Sequence, residues 1–253
     1  MTGGSARLEN MDDSPKPSAP STDLERLGAG TGMDLSTMPP GLAQRLATIG
    51  ADFRQLSLEY EFALREVETK MHILQDEFLH LHDYNPIEHV STRLKTLDSL
   101  VAKANRRELP MDLDIWRREI LDIAGTRVTC SFRRDVYRVF DLFTERQDVE
   151  VISVKDYIAQ PKANGYSSLH ATVRVPVYLS TGVILIPVEI QFRTIAMDFW
   201  ASLDHKIKYK YDGEVPADVA DELQEAAQAA DDLDRRMENL HDRVHGSGPT
   251  LFV

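Results

Sequence analysis

The sequence predicts an α+β protein whose mixed sheet has one apolar face under helices and one polar face. Three observations lead there. Helical periodicity fills the start and end of the chain, with several strand-like segments between them. Two of those segments are joined by a tight turn at Ser180-Thr181-Gly182. Three segments alternate strictly, so each presents apolar side chains to one side and polar ones to the other.

Residues 1–40 are rich in Gly, Ser, Pro, Thr and Asp and read as a disordered tail, because they cannot bury enough apolar surface to offset ordering. Leu42, Leu46, Ile49, Phe53, Leu56, Tyr60, Leu64, Val67, Met71, Leu74, Phe78 and Leu81 then recur at steps of three and four. They predict a long amphipathic helix within 41–83, with Gly50 as a candidate break and Asn85-Pro86 as the stop. A basic helix is expected from Leu97 to Arg107, and a short one containing Trp116, capped by Asp112 or Asp114, after Pro110. The strand Gly125–Phe132 alternates Val128, Cys130 and Phe132 with Arg127, Thr129 and Ser131. A helix from Asp135 to Gln147 and a strand Val149–Val154 follow, then a loop over Gln160–Tyr166. In Leu169–Val177, His170, Thr172 and Arg174 share a face; in Val183–Phe192, Glu189, Gln191 and then Arg193 lie opposite Val188, Ile190 and Phe192. Pro187 implies an edge position or a bulge. Helices Thr194–Tyr209 and Pro216–Val244 end the pattern, within a C-terminal segment taken as 212–253.

Composition narrows the function. The net charge is −12, yet residues 85–210 carry 19 Lys and Arg against 16 Asp and Glu. Acidic flanks thus enclose a mildly basic middle suited to a polyanionic ligand. Whole-chain acidity argues against avid nonspecific duplex binding, while leaving a local contact with single-stranded RNA open. One cysteine, Cys130, excludes an intrachain disulfide framework. No membrane span or secretory signal is read, so a cytoplasmic location is the default.

The polar faces of three strands supply Arg127, His170, Thr172, Arg174, Glu189 and Gln191, a concave charged surface. Asp122 lies just ahead of the Gly125 strand. Two carboxylates about 4 Å apart repel by roughly 4 kcal/mol at an effective dielectric of 20. A Mg²⁺ ion would remove that cost; alternatively Asp122 caps a turn and Glu189 pairs with an arginine. Arg93, Lys95, Lys103, Arg106 and Arg107, with Lys155 and Lys162 later, suit polyphosphate chains, or else form a solvated helix face. Arg93 and Arg127 have planar guanidiniums that stack on bases. Tyr166, after the turn pair Asn164-Gly165, either stacks on a base or is partly buried structure. His82-Asp83 and His241-Asp242 lack the further ligands of a metal phosphohydrolase. Asp112-Leu113-Asp114 lacks the strand context of a polymerase-like aspartate pair. No P-loop or GxGxxG run is present.

Taken together, Tyr84-Asn85-Pro86-Ile87-Glu88-His89, Arg93-Leu94-Lys95 with Ser99 and Lys103, and Asp122-Ile123-Ala124-Gly125-Thr126-Arg127 resemble the small alarmone synthetases. The likeness continues through Lys155-Asp156-Tyr157-Ile158, Pro161-Lys162-Ala163-Asn164-Gly165-Tyr166 with Leu169-His170, Val188-Glu189-Ile190-Gln191 with Arg193-Thr194, and Ala196-Met197-Asp198-Phe199-Trp200-Ala201 with His205. These are GTP pyrophosphokinases related to the synthetase domain of the Rel stringent-response enzymes. The resemblance spans 84–211 and implies a nucleotidyltransferase-like, mainly antiparallel sheet. It implies transfer of the β,γ-pyrophosphate of ATP to the ribose 3′-hydroxyl of GTP or GDP, giving pppGpp or ppGpp and AMP.

Carried over by position, Arg93 and Arg127 would hold adenine, and Lys95, Lys103 and Arg106 the ATP phosphates. Asp122 and Glu189 would bind Mg²⁺, with Glu189 helping to remove the acceptor proton. Tyr166 would stack on guanine, and Lys155, Lys162 and His170 would meet the acceptor's phosphates, with Asn164 and Gln191 beside them. Many relatives form tetramers that bind alarmone in a central cleft, so a homotetramer with alarmone or single-stranded RNA as regulator is compatible with the likeness. The chain has room for neither the hydrolase domain nor the regulatory domains of the long enzymes, so synthesis without alarmone hydrolysis is expected. Lys155 stands where relatives often have arginine, a point charge in place of a fork. Two other readings stay open: a catalytically decayed nucleotide- or RNA-binding regulatory module, and a nucleotidyltransferase with another acceptor.

Overall fold

The computed structural model describes residues 40–209 and 215–246. The expected tail over 1–40 lies outside them, apart from Pro40. The molecule divides at Asp52/Phe53. Of the unit before that point, the helical turns from Pro40 are described; the unit from Phe53 holds the sheet and its core.

Helix α1 (Pro40–Leu81) opens the order and runs through Gly50 without a break; a single helical glycine costs only about 1 kcal/mol against alanine. Leu56, Tyr60, Val67, Met71, Leu74 and Phe78 on one face are at most 5 % exposed, whereas Leu81 is 75 % exposed and leaves the stripe. Ile87–Leu94 form a strand, β1, that periodicity alone does not assign. Helices α2 (Leu97–Arg106) and α3 (Leu113–Glu119) follow, α3 capped by Asp112, whose Oδ1 accepts from Asp114 N and Ile115 N at 2.8 and 3.1 Å. The Asp112-Asp114 pair is therefore a helix start. Then come β2 (Ala124–Cys130), α4 (Arg133–Thr144), β3 (Glu150–Asp156), β4 (Leu169–Leu179), β5 (Gly182–Thr194), α5 (Ile195–Tyr209) and α6 (Ala217–His245).

The sheet order is β1-β2-β5-β4-β3, with β2 and β5 parallel and every other pair antiparallel. Pro187 sits within the central strand, one residue before the β2 ladder begins at Ala124↔Val188. There β5 has only β4 beside it, so the edge expected from a missing N–H is local to that stretch.

Directly paired residues point to the same face. The rung Ser91–Arg127–Gln191–His170–Lys155 crosses all five strands, and the next is Arg93–Gly125–Glu189–Thr172–Ser153. The intervening residues face the other way: Val188, Ile190, Phe192, Val128, Ala171 and Val173 are fully buried. They join α4's Val136, Val139 and Phe143, α3's Trp116, α2's Leu100 and the α1 stripe in one core. Each such buried side chain contributes about 1.5–3 kcal/mol. That core fixes the register, since a one-residue slip would turn the polar rungs inward.

Helix α6 buries Leu223 and Ala227 and is tied on by polar contacts. Thr194 Oγ1 donates to Asp234 Oδ2 at 2.5 Å, Trp200 Nε1 to Leu223 O at 2.8 Å, and Arg133 pairs with Asp231 at 2.5 Å. Arg134 takes Asp242 and, at 2.6 Å, His241 Nδ1. His241-Asp242 is thus a helix anchor, and among the described residues no three His, Cys, Asp or Glu converge on a metal position.

Burial pushes the Asp234 carboxyl up to about 6. A folded value above the unfolded one means stability is greatest below the unfolded value and falls as pH rises through about 6. Asp234→Asn keeps an acceptor for Thr194 and removes the charge. It should stabilise the protein by on the order of 1–3 kcal/mol at pH 7.5, with the gain vanishing near pH 4. Thermal melts across that range check this; parallel pH profiles for both proteins would contradict it.

Candidate active site

One end of the polar face is built around Asp122, just ahead of β2. Lys95 follows β1, and its backbone N–H donates to Ile123 O at 2.9 Å. Lys103 comes from α2, whose start Thr96 caps by accepting from Ser99 N at 3.3 Å. Both ammonium groups donate to Asp122 Oδ2, at 3.0 and 2.5 Å, and Lys95 also reaches Asp122 O at 3.0 Å. Burial pushes the Asp122 carboxyl up, but bonds from Lys103 and Lys95 outweigh it and hold it below the usual carboxylate range. Its Oδ1 is buried with no hydrogen-bond partner.

Glu189 stands in mid-sheet within a ring of donors. Gln191 Nε2 donates to its Oε2 at 2.9 Å, and His170 Nδ1 lies 3.6 Å from its Oε1. Tyr166 Oη meets His170 Nε2 at 2.7 Å. Arg193 closes the ring, donating from one nitrogen to Tyr166 Oη at 2.7 Å and to Gln191 Oε1 at 2.9 Å. An arginine only donates, so the phenol oxygen accepts from Arg193 and offers its proton to His170. That arrangement puts the histidine's own proton on Nδ1, toward Glu189. Burial raises the Glu189 carboxyl and nearby Asp122 raises it further, yet His170 and Gln191 prevail and keep it lowered. Register also brings the two carboxylates near one another, since Glu189 pairs with Gly125, three residues beyond Asp122.

The Tyr166 loop is shaped by its backbone. Gly165 has φ 82°, and its N–H donates to Lys162 O at 2.8 Å, while Lys162 N donates to Tyr166 O at 3.1 Å. Asn164 Oδ1 accepts from Tyr166 N at 3.3 Å, so Asn164 forms the turn. A Cβ on Gly165 would lie 2.4 Å from Ala227 Cβ, which seats the loop directly on α6. Lys162 Nζ stands 4.6 Å from the Tyr157 ring centroid and 4.8 Å from that of Tyr166, and Tyr157 meets His170 edge-on at 5.3 Å.

Arg127 Nη1 lies 3.1 Å from Asp198 Oδ1, the same oxygen that accepts from Arg193 Nη1 at 3.1 Å. Burial, then Arg193, lowers the Arg127 guanidinium, and Arg93 adds to this. Two arginines thus share one carboxylate oxygen. Arg93, Lys155 and Lys162 are exposed on the polar side, and Arg106 is exposed one turn beyond Lys103 on α2.

Every predicted site residue except Arg106, whose side chain makes no described contact there, therefore lies on this face or directly at its margin. Sequence reasoning gave Arg193, Asp198 and Tyr157 no site role, although all three stand in the quoted motifs. The parity of β5 puts Arg193 on the Glu189 face, but nothing in the chain order signals that Asp198 returns to it.

The arrangement offers lysines for a polyphosphate, the planar guanidiniums of exposed Arg93 and half-buried Arg127, an anchored aromatic, and two ionised carboxylates. A hard divalent cation takes oxygen ligands, typically one or two carboxylates plus substrate phosphates. The partnerless Asp122 Oδ1 and the ionised Glu189 fit that donor set.

A family model described as a region found in RelA / SpoT proteins matches residues 92–214. The GTP pyrophosphokinase YwaC of Bacillus subtilis is 43% identical over 79% of this chain and 95% of its own length. Among solved structures, small alarmone synthetase 1 from Bacillus subtilis bound to its product pppGpp aligns with a TM-score of 0.72 and 35% identity, over 77% of this chain and 98% of that one. The same enzyme bound to AMPCPP aligns with a TM-score of 0.67 and 31% identity, over 78% and 100%. With this fold, these motifs and 43% identity to a GTP pyrophosphokinase over 95% of that protein's length, the chain belongs to the RelA/SpoT family, among its small alarmone synthetases.

Proposed function

We propose that the protein is a GTP pyrophosphokinase that transfers the β,γ-pyrophosphate of ATP to the 3′-hydroxyl of GTP or GDP, releasing AMP. The observation that carries this reading is the ring Arg193–Tyr166–His170–Glu189–Gln191 beside Asp122 and its two lysines. It supports an acceptor site at Tyr166, a polyphosphate site at Lys95 and Lys103, and a carboxylate pair between them. The relatives bound to pppGpp and AMPCPP support the same two classes of nucleotide.

In this reading Arg93 and Arg127 stack on adenine, while Lys95, Lys103 and Arg106 grip the donor phosphates. Tyr166 stacks on guanine, its ring plane fixed by bonds at its hydroxyl. Lys162, His170 and Lys155 face the acceptor phosphates; Asn164 and Gln191 support Tyr166 and Glu189. Asp122 and Glu189 are the residues that would hold Mg²⁺, which when bound neutralises phosphate charge and polarises the transferred group. The acceptor oxygen attacks the β-phosphorus in line and gives up its proton to water, the bond from the β-phosphorus to the α,β-bridging oxygen breaks, and AMP leaves with that oxygen. A general base works best with a pKa near the operating pH. The lowered Glu189 carboxyl favours orienting the 3′-hydroxyl and opposing charge over accepting its proton outright.

Labelled ATP with Mg²⁺, offering GTP, GDP and GMP in turn, tests the reading. AMP release coupled to label transfer supports it; silence points to a decayed binding module, and pyrophosphate release to another nucleotidyltransferase. Glu189→Gln should lower kcat at least about 10³-fold while leaving the melting temperature nearly unchanged; near-normal turnover removes Glu189 from the chemistry. Tyr166→Ala should raise the acceptor KM about tenfold or more, measured with ATP saturating, and an unchanged value would exclude base stacking there.

A further inference from the structure

Arg193 is 5 % exposed, in the same class of burial as the apolar core around it. A buried guanidinium is costly unless its donors are used. Here Nη1 donates to Asp198 Oδ1 and the other terminal nitrogen to Tyr166 Oη and Gln191 Oε1, while Nε is buried without a partner. Asp198 Oδ1 also lies 3.1 Å from Arg127 Nη1. A continuous path of charge-assisted bonds therefore runs from Tyr166, through Arg193 and Asp198, to Arg127. Its two ends are the aromatic given to the acceptor base and a guanidinium given to the donor base.

We propose that the Arg193–Asp198 pair is a positioning couple that joins the two nucleotide subsites into one unit, so that filling either one orders the other. This rests on the pyrophosphokinase reading above. Asp198 touches neither nucleotide in that reading. It stands in the first turn of α5 and serves as the shared anion for two arginines that otherwise repel each other. With both arginines drawn to it, the Tyr166 hydroxyl and the Arg127 plane are held at a fixed spacing. If Asp198 loses its charge, Arg127 is free to swing toward solvent and Arg193 keeps Tyr166 without its counterweight. Binding one base in a structure so joined removes disorder that the second would otherwise have to remove, which is positive coupling between sites. Gln191 and His170 give the same unit contact with Glu189, so its order extends to the reacting centre.

The test is calorimetric titration of GDP into the full-length protein with Mg²⁺, with and without a non-transferable ATP analogue, repeated for Asp198→Asn, Asp198→Glu and Tyr166→Phe. The wild type should bind GDP about tenfold tighter when the analogue is present. In Asp198→Asn that ratio should fall to about one, with both KM values raised and kcat changed less. Asp198→Glu, which restores the charge, should recover part of the ratio. Tyr166→Phe keeps the ring and removes the link, so it should also lose the ratio, and combining it with Asp198→Asn should add nothing further. An unchanged ratio in Asp198→Asn, or fully additive effects in the double variant, would overturn the couple. If Asp198→Asn fails to fold, the Tyr166→Phe ratio alone decides. Failure of the underlying reading looks different: the wild type itself would release no AMP with any guanosine acceptor.

Discussion

The site depends on keeping a half-buried carboxylate ionised in mid-sheet. Glu189 is on the central strand, where burial pushes its proton affinity upward and Asp122 adds a smaller push. The structure opposes this at both carboxyls. Two lysines take one oxygen of Asp122, and Gln191 and His170 address the two oxygens of Glu189. The donors win in both cases, because both carboxyls are held below their ordinary range.

The parallel pairing of β2 with β5 makes that arrangement available. It sets Gly125 opposite Glu189 and places Asp122 three residues earlier on the same segment. Arg93 of β1 lies directly over Gly125, since a Cβ there would meet Arg93 Nε at 3.4 Å and Cγ at 3.5 Å, ordinary van der Waals contact. The register itself is set from beneath, where Val188, Ile190, Phe192 and Val128 are buried to the last per cent.

Much of this was legible in the sequence, and the exceptions have physical causes. Strands β4 and β5 alternate without interruption, so the shared face of His170, Glu189 and Gln191 could be read residue by residue. β1 could not. Its apolar residues Ile87 and Val90 stand three apart, because a bulge between Ile87 and His89 breaks the alternation on an edge strand. Gly50 carries a helix-breaking propensity, yet α1 continues through it. Lys95 and Lys103 were visible as a basic run, but their convergence on Asp122 needs the turn from β1 into α2. Arg193 and Asp198 are five residues apart, one ending a strand and one beginning a helix. Local periodicity treats these as separate elements, so their contact is visible only in three dimensions.

The same geometry bears on what Glu189 contributes. A carboxylate whose proton affinity is lowered gains persistence of charge and gives up basicity, and a site cannot maximise both. If proton removal were the main demand, burial alone would have supplied it, since desolvation raises a carboxyl toward neutral pH. Here burial is present and is overruled by His170 and Gln191, each braced in turn through Tyr166 or Arg193. The sequence thus invests several residues in keeping Glu189 negative. That is the requirement of a group that holds cationic charge and orients a hydroxyl against a polyphosphate, and it is met before any nucleotide arrives.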